Sequence, residues 1–216
     1  MEKIEKKDII VLGGGGHAKV VANTLQRGSE YNVVGFFDDN ESKNEMLKAP
    51  RLGNLLPAND NPEKVSLAIG MGHVGDTKLR EQIIDEYEKK GYMIEQVIAP
   101  TAIISPDVSL GKGVVVFDGS ILQPGVVIGD YSIINTKASV DHDCHIGKNV
   151  HIAPGATLSG EVTIGDRVLV GTGASIIQGI TIEDDCIIGA GAVVIHNCEK
   201  KGGVYVGSPA RLIEEK

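Results

Sequence analysis

A six-residue period running through residues 98–199 restricts the fold more than any other feature of this chain. Seventeen hexads follow one another without insertion, beginning I-A-P-T-A-I, I-S-P-D-V-S, L-G-K-G-V-V. Every hexad opens with Ile, Leu or Val. The fifth position is small or β-branched, and Cys144, Cys186 and Cys198 also fall there. Gly, Pro, Asp and Asn crowd the positions between. An amphipathic helix needs apolar residues every three to four positions, and this frame does not supply them. The hexapeptide period predicts a parallel β-helix. Each hexad makes one short strand and a turn, three hexads make one triangular coil, and residues eighteen apart stack. The first and fifth side chains then point inward and form aliphatic ladders. About half of the residues in an average protein are apolar, so an unbroken run of seventeen apolar first positions is not an accident of composition.

Composition narrows the function classes. The chain has 216 residues and a net charge of −8, with an isoelectric point near 5.2. So acidic a chain is poorly suited to gripping nucleic-acid phosphates. It holds no run of 18 apolar residues of the kind a membrane span requires, and M-E-K-I-E-K-K-D lacks the pattern of a secretory signal. The three cysteines all occupy inward positions. They read as buried thiols of a protein in the reducing cytoplasm. The absence of Trp suits the narrow interior of a β-helix.

Residues 1–97 follow a different grammar from residues 98–216, so two domains are expected. D-I-I-V-L at residues 8–12 reads as a strand that runs into Gly13-Gly14-Gly15-Gly16-His17-Ala18. Residues 19–27 read as a helix. N-V-V-G-F-F at 32–37 is a second strand, closed by Asp38-Asp39-Asn40. V-S-L-A-I at 65–69 is a third, followed by Gly70-Met71-Gly72. Residues 76–90 form a charged amphipathic helix with an Asp N-cap and Gly91 at its end, and residues 93–98 lead into the repeats. Met71 and Met93 are expected in the core, His73 and His196 at the surface or in turns. Strand, glycine turn, helix, strand and acid in that order make a Rossmann-like unit. The turn fits G-x-G-x-x-A, and Asp38 lies 25 residues after Gly13. Backbone N–H groups at a helix start favour a phosphate, and an acid after the second strand suits a ribose or a base. Such a short segment holds only half of a dinucleotide fold, so a mononucleotide or a sugar nucleotide fits it better than NAD. A tight turn without a ligand is the structural alternative.

Within the repeats one rung stands apart. Val140-Asp141-His142-Asp143-Cys144-His145 gathers four ionisable groups around an inward Cys144. His142 has the chemistry of a general base, with Asp143 to orient its ring. A metal site and a solvated polar turn are the alternatives. The residue one coil beyond His142 is Gly160, which leaves room beside the rung for a ligand. His151, half a coil away, faces another side of the same chain. The two histidines can share a site only between neighbouring subunits.

The segments G-G-G-G-H-A-K-V-V, F-F-D-D, V-D-H-D-C-H-I-G, H-I-A-P-G-A and V-G-S-P-A-R-L-I, in that order, resemble the sugar O-acyltransferase family of the sialic-acid O-acetyltransferase type. Close relatives in it are N-acetyltransferases of nucleotide-linked 4-amino sugars, of the bacillosamine and perosamine types. The resemblance implies a homotrimer of left-handed β-helices, a hand that departs from the usual crossover rule. It also implies an N-terminal α/β domain for the nucleotide sugar, with acetyl-CoA as co-substrate lying between two β-helices. No tightly bound cofactor, metal, nucleic acid or membrane is implied. The catalytic pair falls on His142 and Asp143, an Asp where some relatives carry Glu. Nucleotide-sugar contacts fall on Gly15, Gly16, His17, Asp38, Asp39, Gly70 and Asn135. Acetyl-CoA contacts fall on His151, Thr172 and Ala190. Direct acetyl transfer to the 4-amino group of a nucleotide-linked sugar, UDP-linked above all, is the expected activity. Transfer to a sugar hydroxyl is one rival. A zinc-binding β-helix of the γ-carbonic-anhydrase type, using His142, His145 and His151, is another.

Overall fold

The computed structural model describes residues 6–28, 30–56 and 65–215. Contacts divide the chain into two units: Met1–Gly72 with Lys78–Pro100, and His73–Thr77 with Thr101–Lys216.

The first unit is built on a βαβ core. Strand β1 (Lys7–Leu12) leads through the glycine turn into helix α1 (Gly16–Arg27), and β2 (Tyr31–Phe37) returns parallel to β1. The hairpin β3 (Glu45–Met46) and β4 (Ala49–Gly53), which sequence reasoning did not find, extends the sheet beside β2. Strand β5 (Ser66–Ile69) adds parallel to β1 on the other side. The sheet order is β3-β4-β2-β1-β5. Both faces of β1 are covered, as its unbroken apolar run requires. Ile10 and Leu12 cluster with Ile83 and Tyr87 of helix α2 (Lys78–Lys89). On the opposite face Val11 and Ala18 of α1 both crowd the Cα of Gly70, where a Cβ would come within 2.5 Å and 2.8 Å of them. The buried residues of α1, among them Ala18, Val21, Ala22 and Leu25, show the 3.6-residue spacing of a one-sided helix.

Two expectations fail here. Helix α2 begins at Lys78, not Asp76. Met93 is 66% exposed; the inward position beside it belongs to Ile94, which bridges to Leu67 of β5 and packs on the core.

The second unit is a parallel β-solenoid. Two-residue strands stack on partners eighteen positions away, as in Ile121↔Ser139, His145↔Thr163 and Ile152↔Val170. First and fifth hexad positions fill the interior from Val114 to Cys198, giving one continuous cluster. The frame's first residue is the exception: Ile98 is 43% exposed and groups with the first unit, and Ala102 and Ile104 are only partly buried, because an end rung lacks a coil on one side. Two fifth positions are serines. Ser120 Oγ donates to the Asn135 carbonyl at 2.8 Å and Ser132 Oγ to that of Gly147 at 2.8 Å, so neither buried hydroxyl is left unsatisfied.

The corners explain the polar positions. From Gly113 to Gly191 the fourth positions of the hexads take positive φ, including side-chain-bearing Tyr131, Lys137, Asp143, Asn149, Glu161, Arg167 and Asp185 at 52° to 62°. Pro124 and Pro154 occupy third positions ahead of Gly125 (φ 76°) and Gly155 (φ 67°). Proline followed by a positive φ is the signature of a type II turn. The winding ends where the period breaks. Ile187 pairs with Val204, one residue short of the regular spacing, and Gly203–Val206 then pairs antiparallel with Arg211–Glu215. This hairpin closes the last parallel edge, and Tyr205 covers the end of the core.

Candidate active site

The rung at residues 140–145 hangs its chemistry on the outside of a corner that its own apolar residues hold in place. Val140 and Cys144 are buried inward, while Asp141, His142, Asp143 and His145 are exposed. His142 Nδ1 lies 2.8 Å from Asp143 Oδ2, with side chains 55% and 62% exposed. The backbone N–H of His142 donates to Asp141 Oδ1 at 2.8 Å. His145 Nδ1 contacts the carbonyl of Asp143 at 3.1 Å. The hydrogen bond to Asp143 is the main influence raising the His142 pKa. Partial desolvation opposes it, and the charges of Asp141, Asp143 and Glu161 reinforce it. With Nδ1–H held by a carboxylate, Nε2 carries the lone pair and can accept a proton. One coil on, the Gly160 Cα lies under the ring: a Cβ there would overlap Nε2 and sit 2.5 Å from Cε1.

Cys144 cannot serve as a nucleophile in this geometry. Its Sγ donates to the Ser159 carbonyl at 3.1 Å and accepts from the Val162 N–H at 3.4 Å. Burial pushes its thiol pKa up, and the thiolate is the reactive form.

Asn135 and His151 meet each other. Asn135 Nδ2 lies 2.9 Å from His151 Nε2, and Asn135 Oδ1 accepts the Thr136 N–H. His151 Nδ1 lies 2.6 Å from the carbonyl of His73, so His151 donates there and its Nε2 accepts from Asn135. His151 is 8% exposed and His73 1%. The expectation that His73 is a surface or turn residue is therefore wrong. Its Nδ1 accepts the Gly75 N–H at 2.9 Å and its Nε2 donates to the Arg167 carbonyl at 3.2 Å. Sequence reasoning missed this network, because nothing in H-V-G-D-T announces a segment that packs against the solenoid. His196 lies exposed in a bend. Thr172 and Ala190 stack one coil apart, both exposed, at the corner before the strand Ser175–Ile176. His142 follows the strand Ser139–Val140, on the other side of that same sheet, so one chain does not bring the two corners together. Among the described residues no group of three His, Cys, Asp or Glu side chains is placed to hold a metal.

In the first unit, Gly15, Gly16, His17, Asp38, Asp39 and Gly70 gather at the carboxyl ends of β1, β2 and β5. Open α/β sheets bind ligands at that edge. The start of α1 has no side-chain cap, and the Cβ directions of Gly15 and Gly16 are open space. Gly14 is forced: a Cβ there would strike the Phe36 ring at 2.6 Å. Asp38 turns back on the loop. It accepts the N–H groups of Gly14 at 2.6 Å and Asn40 at 2.8 Å, and pairs with Lys43 Nζ at 3.3 Å. Burial works against its ionisation, yet these donors outweigh burial and hold its pKa below the usual carboxylate value. Asp39 accepts the Leu55 N–H at 2.9 Å. Arg51 Nε donates to the Asp38 carbonyl at 2.8 Å. Lys43 and Arg51 carried no motif that would have singled them out.

A hexapeptide solenoid with an exposed His–carboxylate pair at a corner defines an acyltransferase of the hexapeptide-repeat class. Comparison with known proteins refines this. Residues 8–87 match the PglD N-terminal domain, residues 125–160 the bacterial transferase hexapeptide (six repeats), and residues 161–195 the hexapeptide repeat of succinyl-transferase. The acetyltransferase domain of PglB from Neisseria gonorrhoeae, solved with acetyl coenzyme A, is 34% identical with a TM-score of 0.90, over 97% of this chain and 100% of that one. PerB from Caulobacter crescentus, solved with CoA and GDP-perosamine, is 34% identical with a TM-score of 0.82, over 96% and 97%. WeeI from Acinetobacter baumannii is 27% identical with a TM-score of 0.79, over 96% and 100%. The chain belongs to the sialic-acid O-acetyltransferase-type sugar acyltransferase family, in which a PglD N-terminal domain joins hexapeptide repeats, and it is an acetyltransferase. No helix among the described residues is long and apolar enough to cross a membrane.

Proposed function

We propose that this enzyme moves the acetyl group of acetyl-CoA to the 4-amino group of a nucleotide-linked amino sugar, a UDP-linked one above all. The single observation that carries the reading is the His142–Asp143 pair at 2.8 Å on an exposed corner. The acetyl-CoA of the Neisseria neighbour and the GDP-perosamine of the Caulobacter one support the two substrates. Residues 1–97 receive the nucleotide sugar at Gly15, Gly16 and His17, with Asp38, Asp39 and Gly70 shaping the loop. Residues 98–216 wind as a left-handed β-helix and carry out the transfer. Three chains assemble, so that the His142 corner of one faces the Thr172 and Ala190 corner of the next across the acetyl-CoA. Asn135 and His151 support that cleft. The three free, buried cysteines suit the cytoplasm.

The amine attacks the thioester carbonyl, an N–C bond forms, and the tetrahedral intermediate collapses with loss of the C–S bond. His142 Nε2 takes the proton the amine loses and returns it to the departing CoA sulfur, while Asp143 holds the ring tautomer. No acyl-enzyme forms. Such general-base help is worth ~10²–10⁴ in rate; holding both substrates together supplies the rest. The test is CoA-thiol release from acetyl-CoA against UDP- and GDP-linked 4-amino sugars, with sialic acid as the hydroxyl acceptor. Turnover with a 4-amino sugar nucleotide is expected. Turnover with sialic acid alone would replace this reading by O-acetylation.

A further inference from the structure

Gly160 is out of place in the frame. Of the seventeen third positions in the repeats it is the sole glycine; its own column reads Pro106, Pro124, His142, Gly160, Gln178, His196. The third position does not need glycine. Positive φ falls on the fourth position, and Gly160 is not among the positive-φ residues. Its backbone therefore admits an ordinary side chain, and lysine, threonine, aspartate and proline all occur at equivalent corners. The obstacle is the ring one coil earlier. The three nearest atoms to a Cβ at position 160 all belong to the His142 imidazole: Nε2, Cε1 at 2.5 Å and Cδ2 at 3.0 Å. Real Cβ contacts do not come so close, so any side chain at 160 expels the ring from where it lies.

We propose that Gly160 is a positioning residue for acyl transfer, its missing side chain letting the His142 ring lie on the next coil with Nδ1 against Asp143 and Nε2 directed over the Gly160 backbone. Among the described residues Asp143 is the one side chain that hydrogen-bonds the exposed His142 ring. Asp143 cannot follow a displaced ring freely, because its own backbone is fixed at φ 59° by the turn. A displaced imidazole thus loses the bond that sets its tautomer, and its basic nitrogen leaves the position from which it meets the amine. This inference rests on His142 being the base, and the experiment separates the two.

The variants are Gly160→Ala, His142→Ala and the pair together, in the full chain. Readouts are kcat and KM for both substrates, the pH profile of kcat, and NMR titration of the His142 imidazole. Gly160→Ala is expected to lower kcat by about tenfold to a hundredfold, as misplacement of a reacting group does, with both KM values within about threefold. The His142 titration is expected to move down toward the free-histidine value. In the His142→Ala background the same change is expected to alter residual turnover by less than about twofold, since coupled residues are non-additive. Wild-type kcat and titration in Gly160→Ala would overturn the proposal. So would an equal fold loss in both backgrounds, which would mean that Gly160 acts without the ring. Should Gly160→Ala not fold, the double variant decides: it folds if the clash is with the ring, and its failure to fold overturns the idea. Wild-type turnover in His142→Ala removes the base reading, and the imidazole titration still judges the positioning.

Discussion

The ring of His151 donates to the backbone carbonyl of His73, 78 residues earlier in the chain, at 2.6 Å. That bond, with the Asn135 amide on the other ring nitrogen, fixes both nitrogens of a histidine whose expected work was to contact acetyl-CoA. In this arrangement His151 holds the segment His73–Thr77 against the solenoid, and its Nε2 is free for acetyl-CoA only if the Asn135 amide is given up. Replacing His151 by Ala strands a buried carbonyl and a half-buried amide. We expect a loss of about 1–3 kcal/mol, read from the urea unfolding midpoint, larger than any change from His196→Ala on the exposed bend.

His142→Ala is expected to lower turnover about a hundredfold or more, with little change in KM for acetyl-CoA, because a general base acts in the transition state and not in ground-state binding. Steady-state kinetics check this, and an unchanged kcat removes His142 from the chemistry.

The pH dependence follows from the direction of the His142 shift. The imidazole must be neutral to accept a proton. Its pKa lies above the ordinary 6.5, chiefly through the hydrogen bond to Asp143. Turnover therefore rises with pH through a midpoint above 6.5. Asp143→Asn removes the anionic acceptor, so the midpoint moves down while the plateau falls. Glu161→Gln, which removes only a charge, moves it down less. Profiles of kcat against pH for the three proteins provide the measurement; an upward move in Asp143→Asn contradicts the assignment.

Asp38→Ala should loosen the glycine turn, because its carboxylate holds the Gly14 and Asn40 N–H groups and Lys43. We expect a rise in KM for the nucleotide sugar and a stability loss of about 2 kcal/mol, with KM for acetyl-CoA little changed. Kinetics with each substrate varied separately would show it.

Cys144→Ala should keep most of the activity, and iodoacetamide should leave the native enzyme active, since the thiol is buried and its pKa is raised. Inactivation matched by labelling of Cys144 in mass spectra would reinstate an acyl-enzyme route.

What could be read from the residues in order was whatever repeats at a fixed interval. The period placed Val140 and Cys144 inside, His142 and Asp143 outside, and Gly160 next to His142, because in a solenoid each coil touches only its neighbours and sequence separation dictates contact. The glycine turn and the acid after β2 were legible for a related reason: a strand, a tight turn and a helix are local. The partners themselves were not. That Asp38 bonds the Gly14 loop, that Lys43 and Arg51 join it, that Met93 faces solvent while Ile94 packs, and that a buried His73 holds His151 depend on contacts between segments that share no period. Such contacts are set by which surfaces pack and which polar groups burial leaves to be satisfied. Order along the chain does not encode those choices, and only the folded molecule makes them.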